Sequence, residues 1–142
     1  MKFIKSGFDK DTKRSWVVMQ HMGKLFKGEA RVHPEDMDKV SEIVGGRYAE
    51  TRATIAALKY ERKIVKEKCE ECRKFVRACE QYKKFDKDSP TARVIYRQLN
   101  RRIKRVNDIT DEINSLYKSM GKHIWQRNIV LKSIERKSKQ VN

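Results

Sequence analysis

Proline is scarce in this chain, with two residues in 142, at Pro34 and Pro90. That scarcity leaves long stretches free to run as unbroken helix. Cysteine is scarce too, and odd in number at three, which leaves no disulfide framework to organise a small fold. No apolar run approaches the ~20 residues needed to span a bilayer. The opening Met1-Lys-Phe-Ile-Lys-Ser-Gly7 lacks the apolar stretch of a secretory signal. These absences predict an intracellular, cytoplasmic, reduced protein with no membrane partner.

Acidic residues are short as well: 19 against 35 Lys and Arg, a formal net charge of +16. An excess of that size attracts polyanions, and nucleic acid, an acidic protein surface and a phosphorylated small ligand all fit it. Catalytic constellations are missing. There is no glycine-rich phosphate loop, no pair of His on one helix face, and no Ser or Cys beside a base in sequence. His21, His33 and His123 stand isolated along the chain, so the expectation is a protein that is not an enzyme and needs no cofactor.

What is there is a single domain's length of chain in two regions: 1–33, a β-hairpin region, and 34–142, a long antiparallel helical hairpin. The expected fold class is mainly α, a coiled-coil hairpin with a small N-terminal β-hairpin, assembled as an oligomer. Over 26–33, Phe26, Gly28, Ala30 and Val32 alternate with Lys27, Glu29, Arg31 and His33, the period of a half-buried strand. Ser15–Met22 is rich in β-formers. Gly23-Lys24 between them reads as a two-residue II′ turn. Phe3-Ile-Lys5 offers a third strand, with 8–12 as its loop. A rival reading makes 12–27 an amphipathic helix through Trp16, Met19, Met22 and Phe26. The hairpin is preferred because the 26–33 alternation has no helical explanation.

The first long helix is expected over 34–85. Pro34 sits near its first position and Glu35, Asp36 and Asp38 complement the dipole. Its seam, Met37, Ser41, Val44, Tyr48, Thr51, Ile55, Leu58, Arg62, Val65, Cys69, Cys72, Val76 and Cys79, averages 3.5 residues per step, the coiled-coil spacing. Gly45-Gly46 is a weak point, read as a break, a kink or a close backbone approach. Asp88-Ser89-Pro90 supplies turn and cap for a second helix to about Ser138. Folding about 86–90 sets Cys69 near Val106, Leu58 near Leu116, and Ile55 near Met120. It also places Gly121 in close approach to Ala53 and Thr54. The second helix carries a further stripe, Tyr96, Ile103, Tyr117 and Ile124, wider than one seam requires, which reads as an oligomer interface.

Four constellations bear on function. Cys69, Cys72 and Cys79 have CxxC spacing but fall on the seam, so they read as small core residues before metal or redox ligands. Arg93, Arg97, Arg101, Lys104 and Arg105 project along one outward stripe and read as a phosphate track, with Lys132 and Arg136 as a second contact or a frayed basic helix end. Lys59–Lys74 mixes bases with Glu61, Glu67, Glu70 and Glu71, which reads as pairing within the helix. Trp16, Trp125, Tyr48 and Phe26 either bury the hairpin against the helices or form an aromatic recognition site.

The run Phe26-Lys-Gly28-Glu-Ala30-Arg-Val-His33-Pro34-Glu35-Asp36, followed by Ser41, Gly45, Ala49 and Arg52-Ala53, resembles small proteins of tailed bacteriophages and prophages. In those proteins a β-hairpin leads into a helix through an xPxD junction. The likeness covers residues 15–55, and the chain departs from it by continuing into two long basic helices. It implies a viral accessory protein of the host bacterial cytoplasm that binds nucleic acid or a nucleoprotein defence complex. The alternatives are an inhibitor that binds a host protein or sequesters a signalling nucleotide at a homo-oligomer interface, which the basic residues and spare apolar stripe would suit, and a virion or scaffold component built from the coiled coil. It brings no residue roles with it.

Overall fold

In the computed structural model, residues 1–31 and 39–141 are described, with side chains over 1–31 and 43–121. Three strands, β1 (Lys2–Asp9), β2 (Arg14–His21) and β3 (Lys24–Arg31), are followed by two helices, α1 (Lys39–Glu80) and α2 (Pro90–Val141). The sheet is antiparallel in the order β1-β2-β3. Residues 12–27 are therefore strand and turn, and the amphipathic-helix alternative fails. The expected third strand is present and longer than Phe3–Lys5, with a register shift between Phe3 and Lys5.

The β2–β3 turn is centred one residue earlier than the sequence reading. Met22 and Gly23 both have positive φ, 52° and 75°, so the turn is of the I′ type and not II′ at Gly23-Lys24. Val17 consequently pairs with Gly28 and Met19 with Phe26. Moving the turn by one residue changes the pairing by two, and a change of two keeps every side chain on its face. Val17, Met19 and Ala30 are thus buried together, as the alternation required, against Ala49 and Ala53 of α1.

That contact is close because β3 has no side chain at its centre. A Cβ at Gly28 would collide with the Ala49 carbonyl oxygen and lie 2.5 Å from the Ala53 nitrogen. The close backbone approach expected at Gly121 is absent: a Cβ there meets nothing within 4 Å. Ala53 is the small residue of a close approach, but its partner is the sheet. Gly45-Gly46 does not interrupt α1, whose helix runs from Lys39 through both glycines.

On its other face α1 packs antiparallel to α2. Ile55, Leu58, Ile109 and Ile113 form one buried cluster, with Val65, Leu116 and Met120 packed on it, which holds the expected pairs Leu58–Leu116 and Ile55–Met120. The Tyr48 hydroxyl donates to the Met120 carbonyl at 3.4 Å, and Arg102 donates to the Lys68 carbonyl at 3.1 Å. Arg62, a charged seam position, reaches the Thr110 hydroxyl at 3.4 Å. Toward the 81–89 connection, Val76 and Ala92 are buried.

Helix α1 ends at Glu80, five residues before the expected end. Isolated turns such as Tyr82 N–H to Cys79 and Phe85 N–H to Tyr82 replace its ladder. Helix α2 starts on Pro90, with the Ser89 hydroxyl capping the Ala92 N–H at 3.1 Å. No helix of the described residues is long and apolar enough to cross a membrane. The expected helix start at Pro34-Glu35-Asp36 with Asp38, and the strand residues Val32 and His33, lie outside the described residues. So do the seam side chains Met37 and Ser41.

Candidate polyanion-binding surface

Helix geometry brings Arg93, Arg97, Arg101 and Lys104 to one side of α2, about 6 Å apart along the axis for each step of four residues. Together with Tyr96 and Asn100 they line one open groove. None of the four cations is ion-paired with an acid among the described residues. The first turn of α2 contains no acidic residue, and Arg93 sits beside it. A cation near a helix N-terminus opposes the macrodipole, so Arg93 adds positive potential at this end of α2.

Arg105 leaves the stripe. Its guanidinium turns to α1 and donates to Glu61 Oε1 at 2.5 Å, while His21 Nε2, at the end of β2, lies 2.7 Å from Glu61 Oε2. Glu61 is only 12% exposed and His21 17%. This cluster joins the sheet and both helices through one carboxylate. Burial alone would raise the Glu61 carboxyl, but the hydrogen bonds from Arg105 and His21 and their charges outweigh it and lower the pKa below the ordinary value. Glu61 is thus a cross-element partner and not an intrahelical one. The expected intrahelical pairing does occur between Arg73 and Glu70 at 2.8 Å. Sequence could not reveal the cluster, because its members are separated by 40 and 44 positions.

The apolar stripe of α2 divides. Tyr96 donates to Glu80 at 2.8 Å and its ring meets Phe85 at 6.4 Å, so it helps close the tip of the hairpin. Ile103 is half-buried in a cleft with Cys69 and Val106. Tyr117 is 47% exposed, with Lys59 Nζ 5.4 Å from its ring centroid. Cys69 is buried, whereas Cys72 and Cys79 are half-buried, and all three are free thiols. The side chains of Ile124, Trp125, Lys132 and Arg136 lie outside the described residues.

The four aromatic residues also separate. Phe26 meets Tyr60 of α1, with ring centroids 5.5 Å apart, and Tyr48 packs on the sheet–helix core. Trp16 does neither. It pairs with Gly7 and Glu29 and lies on the sheet face opposite Val17 and Met19, away from α1. Searches of protein-family models, of curated proteins and of solved structures each return no match for this chain.

Proposed function

We propose that this protein is a non-enzymatic interaction protein that binds nucleic acid, alone or within a nucleoprotein complex, through the basic side of α2. The observation that carries the reading is the alignment of Arg93, Arg97, Arg101 and Lys104 along one groove with no acidic partner among the described residues. A helix that used these residues only for solubility would gain from neutralising them with acids one turn away, as Glu70 does for Arg73. Four phosphate contacts release about four counterions, so log K against log salt should fall with a slope of about −3.6. Fluorescence anisotropy of labelled duplex DNA and RNA over a salt series measures it. Arg97→Ala should make the slope shallower by about 1. A slope near zero on both nucleic acids removes this reading.

We also propose that α1 and α2 form a coiled coil whose spare apolar surface pairs with a second copy. The 3.5-residue seam spacing and the exposed Tyr117 ring support that arrangement. The phage resemblance over 15–55 fits a protein that acts on host nucleic acid or on a defence complex. Capture of a host protein or a signalling nucleotide is the second reading, favoured by Tyr117 and Lys59 together offering a stacking and charge pair. A discrete small ligand released on denaturation would select it.

A further inference from the structure

The solvent face of the sheet carries an aromatic platform that the helix stripe does not explain. Trp16 lies over Gly7 so closely that a Cβ there would sit 2.5 Å from its ring, and the ring remains only half-buried. Lys5 and Lys27 each place Nζ 5.9 Å from the ring centroid. Alternation puts Arg14 and Arg31 on the same face, against two acids, Asp9 and Glu29. Glu29 engages Lys27 at 2.9 Å and Arg14 at 3.5 Å. Lys5 and Arg31 form no ion pair among the described residues.

We infer that this face is a second binding surface, for single-stranded nucleic acid: Trp16 stacks one unpaired base while Lys5 and its neighbours neutralise the flanking phosphates. Gly7 is what lets the indole lie close against the strand while the ring keeps partial solvent exposure. A glycine-backed tryptophan between ammonium groups suits a ligand that has both a π-face and negative charge. Bases in a duplex are stacked on one another and cannot reach it. Inorganic polyanions carry the charge but no ring. An acidic peptide lacks the regular π-faces. The surface is separate from the groove on α2, which tracks backbone charge.

Trp125→Phe leaves Trp16 as the one tryptophan of the chain. Its fluorescence is followed with an oligothymidine of about 15 nucleotides, the upper end of the sites bound by single-strand platforms. A duplex of equal length, inorganic polyphosphate and polyglutamate are the comparison probes. Oligothymidine should quench the emission, with the other three leaving it unchanged. Lys5→Glu should weaken oligothymidine binding about tenfold, because it replaces a phosphate-neutralising cation by a repelling acid, with the circular dichroism of the fold retained. If Trp125→Phe does not fold, the difference between wild type and Trp16→Phe isolates the same signal.

Equal quenching by polyphosphate or polyglutamate overturns the proposal in favour of a charge-only or protein-binding face. Oligothymidine binding with no change in Trp16 emission overturns it too. The Arg97→Ala/Arg101→Ala double variant separates the two surfaces. Loss of duplex binding with no Trp16 quenching in any arm sinks the sheet surface alone, whereas Trp16 quenching beside unaltered duplex affinity sinks the helix groove alone.

Discussion

Gly28 and Gly46 have opposite roles although both are glycines in regular elements. Gly28 is where β3 touches the backbone of α1, and the atoms that a methyl group would strike belong to the chain itself at Ala49 and Ala53. Side chains can rotate aside, but helix backbone cannot. Gly28→Ala should therefore destabilise the fold by about 3 kcal/mol, the upper end of overpacking costs. Gly46 has open space around its Cβ position and lies inside a helix. Gly46→Ala should raise stability by about 1 kcal/mol by removing the helix penalty of glycine. Urea unfolding of the two variants measures the difference, and equal shifts would mean that the sheet does not seat on α1 at Gly28.

Glu61 makes the stability of the fold depend on pH. Its folded pKa is lowered from the ordinary 4.5. A lowered carboxyl contributes stability that is present above the unfolded value and is lost as pH falls through the folded one. Stability should be flat in this contribution above about pH 5 and decline below about 4.5. Glu61→Gln should cost about 1–3 kcal/mol at pH 7, since the Arg105 and His21 partners lose a charged acceptor. The variant should also show a shallower decline in acid. Thermal unfolding between pH 3 and 7 tests both, and an acid decline unchanged in Glu61→Gln would place the titrating group elsewhere.

At the scale of elements, α1 has two working faces and α2 has one buried and one open. Ala49 and Ala53 of α1 accept the sheet, and Ile55 and Leu58 accept α2. Small residues toward the sheet and branched ones toward the helix follow from the distances: a strand backbone can approach a helix where neither bears bulk, whereas two helices are held 8–10 Å apart by their side chains. Arg105 shows how one residue changes role with its element's orientation. It shares a four-residue spacing with Arg101, yet its contact is with Glu61. Arg105→Ala should consequently lower stability, whereas Arg97→Ala should lower nucleic-acid affinity with little change in unfolding midpoint, because exposed substitutions of this kind stay within about 0.5 kcal/mol. Matched unfolding and anisotropy measurements separate the two outcomes.

At the scale of the whole molecule, the sheet sits on α1 and makes no backbone contact with α2 among the described residues. The His21–Glu61–Arg105 cluster is the polar link that ties all three parts together. The exposed Tyr117 motivates the proposed pairing of copies. Size-exclusion chromatography with light scattering should return a multiple of the chain mass, and Tyr117→Glu should reduce it. A monomer at all concentrations would refute that pairing while leaving the groove on α2 intact.

The order and type of the elements, the faces of the strands, most of the helix–helix core and four of the five residues of the basic stripe were legible in the residues alone. Period two at 26–31 and period 3.5 along 44–76 are local signals, and hydrophobic burial enforces them wherever the chain goes. Turn chemistry was less legible: Met22 is not a residue that favours positive φ, so the I′ turn was hidden although the faces survived a pairing change of two. Which glycine makes the close approach, the pairing of Glu61 across elements, the departure of Arg105 from the stripe and the outward side of Trp16 were set by tertiary packing. Each of those depends on which surfaces meet, and that is fixed by packing between segments tens of residues apart.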